Sequence, residues 1–203
     1  MPHDGQDTPR PAPVLERLLD HVTALLAPLD ALLAAATDRV RAQVSSEGKV
    51  KPALLEENQR AAHGLAWLAT YVEGIRQMQA WAGRLTANGA MGEMEHLILQ
   101  IGTGEYLAQI IGGIPMTQGE ILRGTDIGLS AADMAPVMGS PLLCGNSASA
   151  RARLVALMQD NHGRASFGAT GLDDELEMIR DQFRRFADER VAPGIFSGRR
   201  CRF

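Results

Sequence analysis

Glu93 and His96 stand three residues apart, and both are side chains that bind metals. On a helix that spacing places them on one face. Glu-x-x-His is also how helical bundles ligate a di-iron centre. Such a centre needs a second Glu-x-x-His and two further carboxylates. His21, His63 and His162 have no Glu three residues before them. No metal site is therefore expected, and His96 reads as a surface or bundle-edge histidine. Gly102-x-Gly104 follows no strand pattern and has no third glycine at the right step, so it is not a dinucleotide loop. Ser147 and Ser149 lie close to Cys144 in the chain, but nothing pairs them with a base, and no nucleophile is assigned. Met78, Met91, Met94, Met116, Met134, Met138 and Met158 read as core filler rather than as a binding surface. No residue is assigned a catalytic role.

The bulk properties narrow the function classes. The chain has 203 residues, enough for one sizeable domain or two small ones. A formal charge of −4 argues against nucleic-acid binding, which needs a basic stripe. Cys144 and Cys201 make no disulfide framework and read as free thiols in a reducing compartment. No run of about 18 apolar residues is visible, so neither a transmembrane helix nor a membrane partner is expected. Met1 to Pro13 is polar, with prolines at Pro2, Pro9, Pro11 and Pro13. It lacks the apolar core of a signal peptide, so it reads as a disordered lead-in to a cytoplasmic protein. Aromatic residues make up 4% of the chain, which leaves Leu, Ile, Val, Met and Ala to fill the core.

The elements read as helix after helix. Val14, Leu15, Leu18, Leu19, Val22, Leu25 and Leu26 form one apolar face, with a break expected at Pro28. Leu29, Leu32, Leu33, Ala36, Val40 and Val44 form a second helix that ends near Ser45 to Gly48. Pro52 suits the first turn of a third helix, from about Ala53 to Leu85, ending at the cap pair Asn88-Gly89. A fourth runs from about Met91 to Ile111. Gly102 and Gly104 weaken its middle by about 1 kcal/mol each relative to Ala. Pro115 to Leu122 is a candidate short helix. Gly124 to Asn146 reads as loops, with one helical turn after Ser130. Residues 147–160 form a further amphipathic helix, and Asn161 to Gly171 a linker. No segment alternates long enough to predict a sheet. The expectation is an all-α fold: an antiparallel helical bundle, then a loop-rich segment and two further helices.

The last of these helices carries the most specific pattern. Leu172, Leu176, Ile179, Phe183, Phe186 and Ala187 recur at three- and four-residue steps on one face. Asp173, Asp174 and Glu175 crowd its start, where acids favour the helix dipole. Val191-Ala192-Pro193 closes it, because the residue before a proline resists helical torsions. Ile179, Arg180, Arg184, Phe186, Val191 and Pro193 together resemble the opening helix of the acyl-CoA dehydrogenase family. The plainer reading is an ordinary amphipathic helix with a solvated charged face. A second segment, Ala108-Gln109-Ile110-Ile111-Gly112-Gly113, is similar to the Ala-x-Gln-x-x-Gly-Gly run near the end of that family's C-terminal helical domain. Glu120 and Arg123 fall near its Glu-x-x-x-Arg-Asp run, at shorter spacing. Ile114-Pro115-Met116 replaces the family's aromatic-Gly-aromatic turn, and Gly124 to Ser130 has no counterpart of its catalytic-glutamate loop. The plainer reading of Gly112-Gly113 is a glycine cap after a core helix.

The resemblance implies FAD as cofactor in the intact enzyme, with Gln109, Gly112 and Gly113 as cofactor contacts or their vestige. It implies a short or branched acyl-CoA as substrate, methylsuccinyl-CoA in one branch that carries a helical N-terminal extension. It also implies an electron-transfer flavoprotein as electron acceptor. The resulting division is a lead-in over 1–13, a bundle over 14–125 forming the extension, and a loop-rich linker with one helix over 126–171. The opening helix of the dehydrogenase domain follows over 172–193, then an aberrant tail over 194–203. In the family a long acid-rich helix leading toward a β-barrel follows the proline, whereas here Gly194 to Phe203 is Gly- and Arg-rich. A truncated chain, inactive alone and without bound FAD, is the expectation. The alternative is a free-standing helical interaction or oligomerisation module whose exposed apolar face docks a partner or a second copy of the chain.

Overall fold

The computed structural model describes residues 14–161 and 168–193. The expected disordered lead-in, His162 and most of the linker, Cys201 and the aberrant tail lie outside the described residues. The fold is all-α, with seven α-helices and two two-residue strand pairs among the described residues. It falls into two compact units, one up to Ala169 and one from Thr170.

Helix α1 runs unbroken from Leu18 to Val44 with Pro28 inside it. The expected break at Pro28 does not occur. Leu18, Val22, Leu25, Leu29, Leu32, Ala36, Val40 and Val44 are buried as one stripe spanning both sides of the proline. A proline inside a helix costs about 3 kcal/mol. Each large apolar side chain buried returns about 1.5–3 kcal/mol, so the stripe outweighs the break. By length and composition α1 is also long and apolar enough to cross a membrane, contrary to the reading that no segment qualifies. Its apolar residues are interspersed with Asp20, His21, Asp30 and Asp38, so the helix is apolar on average without containing an unbroken apolar run. In this fold the stripe faces the bundle.

A hairpin follows, with strands β1 (Ser45–Ser46) and β2 (Lys49–Val50). The expected third helix is two: α2, Pro52–Glu57, with Pro52 in its first turn, and α3, Gln59–Ala87. The break falls at Asn58, whose side chain donates to the Leu54 carbonyl at 2.8 Å, a local competitor for helix continuation. Helix α3 ends as expected at Asn88, with Gly89 at φ 65 and Ala90 N–H donating to Leu85 O at 2.8 Å. Helix α4 spans Glu93–Gly112, and the Gly92 N–H donates to Glu95 Oε2 at 3.0 Å at its start.

Cross-helix contacts show that the three long helices alternate in direction. Arg76 of α3 pairs with Asp30 of α1, and Gln79 with Thr23. Tyr71 of α3 meets Gln109 of α4, Gly74 faces Tyr106, and Met78 faces Gly102. Gly102 and Gly104 therefore do more than weaken α4. A Cβ on Gly104 would lie 2.8 Å from the Leu142 carbonyl oxygen, so the glycine lets that segment pack directly on the helix.

The Pro115 to Leu122 stretch is a hairpin, not a helix. Strand β3 (Ile114–Pro115) pairs antiparallel with β4 (Ile121–Leu122). Its turn closes through Met116 N–H to Glu120 O at 2.9 Å. Ile114 lies opposite Leu122 in the register, and both are buried. The segment expected to be mostly loop is more ordered than its Gly and Pro content suggested. Gly124–Ile127 and Pro141–Cys144 are 3-10 turns, and α5 spans Ala131–Met138. Ser130 and Asp133 cap α5 reciprocally, with Ser130 N–H donating to Asp133 Oδ2 at 2.7 Å. Helix α6, Ala148–Asp160, matches the helix expected over 147–160, with Ser147 as its cap rather than its first residue.

The second unit holds α7, Asp174–Phe186, capped by Asp173, which accepts from Leu176 N–H at 2.9 Å. It continues as a π-turn over Ala187–Val191. Ala192 keeps helical torsions, φ −58 and ψ −43, although Pro193 follows it.

Candidate functional site

The last two turns of α4 hold the residues singled out from sequence. Gln109 is half-buried and its amide is engaged at both ends. Its Oε1 accepts from the Tyr71 hydroxyl at 2.5 Å, and its Nε2 donates to Glu105 Oε1 at 2.7 Å. Glu105 Oε2 in turn accepts from Asn146 Nδ2 at 2.6 Å and from Arg151 at 3.1 Å. Burial, Tyr106 and Glu105 raise the Tyr71 hydroxyl above its ordinary pKa, so it remains the donor at neutral pH. One polar chain thus ties α3, α4 and the start of α6 together. Tyr71, Glu105, Asn146 and Arg151 were not singled out from sequence. Glu105 lies one helical turn before Gln109, a spacing that pairs side chains, and this was the one available signal.

Gly113 follows the helix at φ 132 and ψ 129, a region that disfavours side chains. A Cβ there would overlap the Arg123 guanidinium and Ile121 Cγ2. Around Gly112 there is open space. The hairpin beyond is anchored by Arg60 of α3. Arg60 donates to Glu120 Oε1 at 2.7 Å, to the Ile121 carbonyl at 2.7 Å and to Asp126 Oδ2 at 3.0 Å. Asp126 also accepts from Arg123 N–H at 2.8 Å, and these bonds hold its carboxyl below the ordinary carboxylate range. Glu120 and Arg123 therefore both contribute to holding the hairpin. An open depression of about 530 Å³ lies beside this cluster, lined by Leu55, Gln59, Arg60, Ala62, His63 and Glu120.

Glu93 and His96 do not converge. Glu93 is gripped through both oxygens by Arg153, at 2.7 and 2.6 Å. His96 Nδ1 lies 2.6 Å from the Gly92 carbonyl oxygen. Ser147 Oγ caps α6 through Ala150 N–H at 3.2 Å, and Ser149 Oγ lies 3.0 Å from Ser147 Oγ. Cys144 is free and exposed.

The chain is 59% identical over 181 residues to a (2S)-methylsuccinyl-CoA dehydrogenase from Cereibacter sphaeroides. That stretch is 89% of this chain and 33% of the relative. The chain therefore spans about a third of the length of the curated relative it matches. No protein-family model matches the chain. The likeness to an acyl-CoA dehydrogenase thus extends well beyond the short motifs that first carried it. It also raises the question whether the α4 end fits FAD, the cofactor the family resemblance implies. The amide of Gln109 is spent on Tyr71 and Glu105, and the space in front of Gly113 is filled by Arg123 and Ile121. Gly112 alone faces open space. Taken by themselves, the three residues make no cradle for a dinucleotide.

Proposed function

We propose that this chain is the helical part of an FAD-dependent acyl-CoA dehydrogenase of the methylsuccinyl-CoA type, and that alone it neither retains FAD nor oxidises an acyl-CoA. The identity to the Cereibacter protein over 181 residues carries the reading. Residues 14–125 are the helical extension, 126–171 the linker, and 172–193 the opening helix of the dehydrogenase domain. In the intact enzyme bound FAD would supply hydride acceptance from the acyl-CoA, with an electron-transfer flavoprotein as the acceptor of its electrons. The residues described here supply packing and attachment rather than chemistry. Glu93, Glu105, Glu120 and Asp126 are each bonded to arginine, which suits structural carboxylates rather than a general base. A cytoplasmic location goes with the reading, as does the free thiol of Cys144.

The test is complementation. The Cereibacter enzyme is prepared with its matched third deleted, and this chain is added in trans. Recovery of flavin absorbance and methylsuccinyl-CoA oxidation in the mixture, with neither property in this chain alone, supports the proposal. Flavin and turnover in this chain alone overturn the claim of inactivity. No recovery in the mixture, where the undeleted enzyme is active, removes the support for a role as its helical part.

A second reading, an interaction or oligomerisation module, draws on α7. Leu176, Met178, Ile179, Phe183 and Phe186 are all exposed, Phe183 by 71% and Phe186 by 60%. Exposed large apolar side chains in such number mark a surface that is covered when the protein functions. Size-exclusion chromatography over a concentration series separates the readings. A defined dimer that survives dilution favours the module.

A further inference from the structure

Far from α4's C-terminal end, the backbone of one residue is held on both sides. The Ala169 N–H donates to Glu95 Oε1 at 2.7 Å, and its carbonyl accepts from Trp81 Nε1 at 3.1 Å. Glu95 belongs to α4 and Trp81 to α3, so two helices grip one peptide residue far away in sequence. Glu95 is 8% exposed. Its other oxygen is committed to the Gly92 N–H at the helix start. A cap needs one carboxylate oxygen, and the second, buried without a donor, would carry a desolvation penalty. Ala169 supplies that donor. The preceding residue is shaped for the same contact. Gly168 has φ 79, and a Cβ on it would lie 3.2 Å from Glu95 Oε1 and 3.3 Å from Ile98 Cδ1.

We propose that Glu95 and Trp81 form a backbone clasp that straps the chain at Gly168–Ala169 onto the bundle. The two bonds fix the main chain at the last residue of the first unit. Both bonds are to the main chain, so the clasp reads conformation at 169 and size at 168. It tolerates side-chain change at Ala169 and rejects it at Gly168. The inference is independent of the dehydrogenase reading, since it concerns only how this chain is held.

Hydrogen exchange on the full chain tests it, resolved at the Ala169 amide by NMR. In the wild type that amide exchanges at least about tenfold more slowly than in Glu95→Ala. Trp81→Phe, which leaves the Glu95 cap intact, gives an intermediate rate, while core amides of α1 stay protected. Should Glu95→Ala loosen the whole bundle, the wild-type rate and Trp81→Phe still decide. An Ala169 amide that exchanges in the wild type at the rate of an unprotected peptide overturns the clasp. So does a rate unchanged in both variants.

Discussion

Single residues in this chain carry sharply different burdens. Thr103 is fully buried, and its hydroxyl has no partner among the described residues. Thr103→Val is isosteric and removes that orphan, so it is expected to stabilise the protein or leave it unchanged, by up to about 1 kcal/mol. The midpoint of urea unfolding reads this directly, and a clear loss would mean that the hydroxyl has a hidden partner. Asp133 illustrates the opposite burden. The Ser130 hydroxyl, then Arg39, hold its carboxyl far below the usual range. Arg153 lowers Glu93, and the Arg123 backbone and Arg60 lower Asp126, in the same sense. A carboxyl depressed in the fold adds stability that is complete above its unfolded pKa and disappears as pH falls through the folded value. Urea midpoints are therefore expected to be flat above about pH 5 and to fall on acidification below about pH 4. Asp133→Asn should make that fall shallower. A profile as steep as the wild type's would show that Asp133 does not matter.

At the scale of elements, packing overrides local preference in both directions. Pro28 stays in α1 because the buried stripe on either side holds it there. Pro28→Ala restores the missing N–H and is expected to raise stability by about 1–3 kcal/mol, read from the thermal midpoint. Gly104 runs the other way. Helix propensity alone predicts that Gly104→Ala gains about 1 kcal/mol. The Leu142 carbonyl 2.8 Å from the new Cβ predicts a net loss of about 1–3 kcal/mol. The sign of the measured change decides between propensity and packing. The helices themselves were legible, since α1, α3, α4, α6 and α7 all follow apolar periodicity, α3 ends at the cap pair Asn88-Gly89, and acids mark the start of α7. The Pro115–Leu122 hairpin was not legible, because two-residue strands have no periodicity to detect.

For the whole molecule, the first unit has a continuous core and the second shows an amphipathic helix with its apolar side exposed. That exposure has a measurable consequence. The full chain is expected to bind a hydrophobic dye and to scatter more light as its concentration rises. Phe183→Glu with Phe186→Glu should suppress both, because charge on that face opposes burial. Equal dye binding by the variant would place the sticky surface elsewhere. The candidate site divides similarly. Gln109, Gly112 and Gly113 were found as a pattern, but the partners that occupy Gln109 and Gly113, namely Tyr71, Glu105, Arg123 and Ile121, come from other turns and other elements.

The sequence alone determined the helical class, most helix positions and the family likeness. All three rest on short-range order: apolar spacing, caps, and runs of residue identity. Tertiary structure alone decided that Pro28 does not break α1, that Gly104 is a contact surface, and that Gln109 is engaged within the chain. It also decided that Glu95 reaches Ala169 across 74 positions. These depend on which atoms meet across helices, and pairing at that range is set by the packed fold as a whole rather than by any local string of residues.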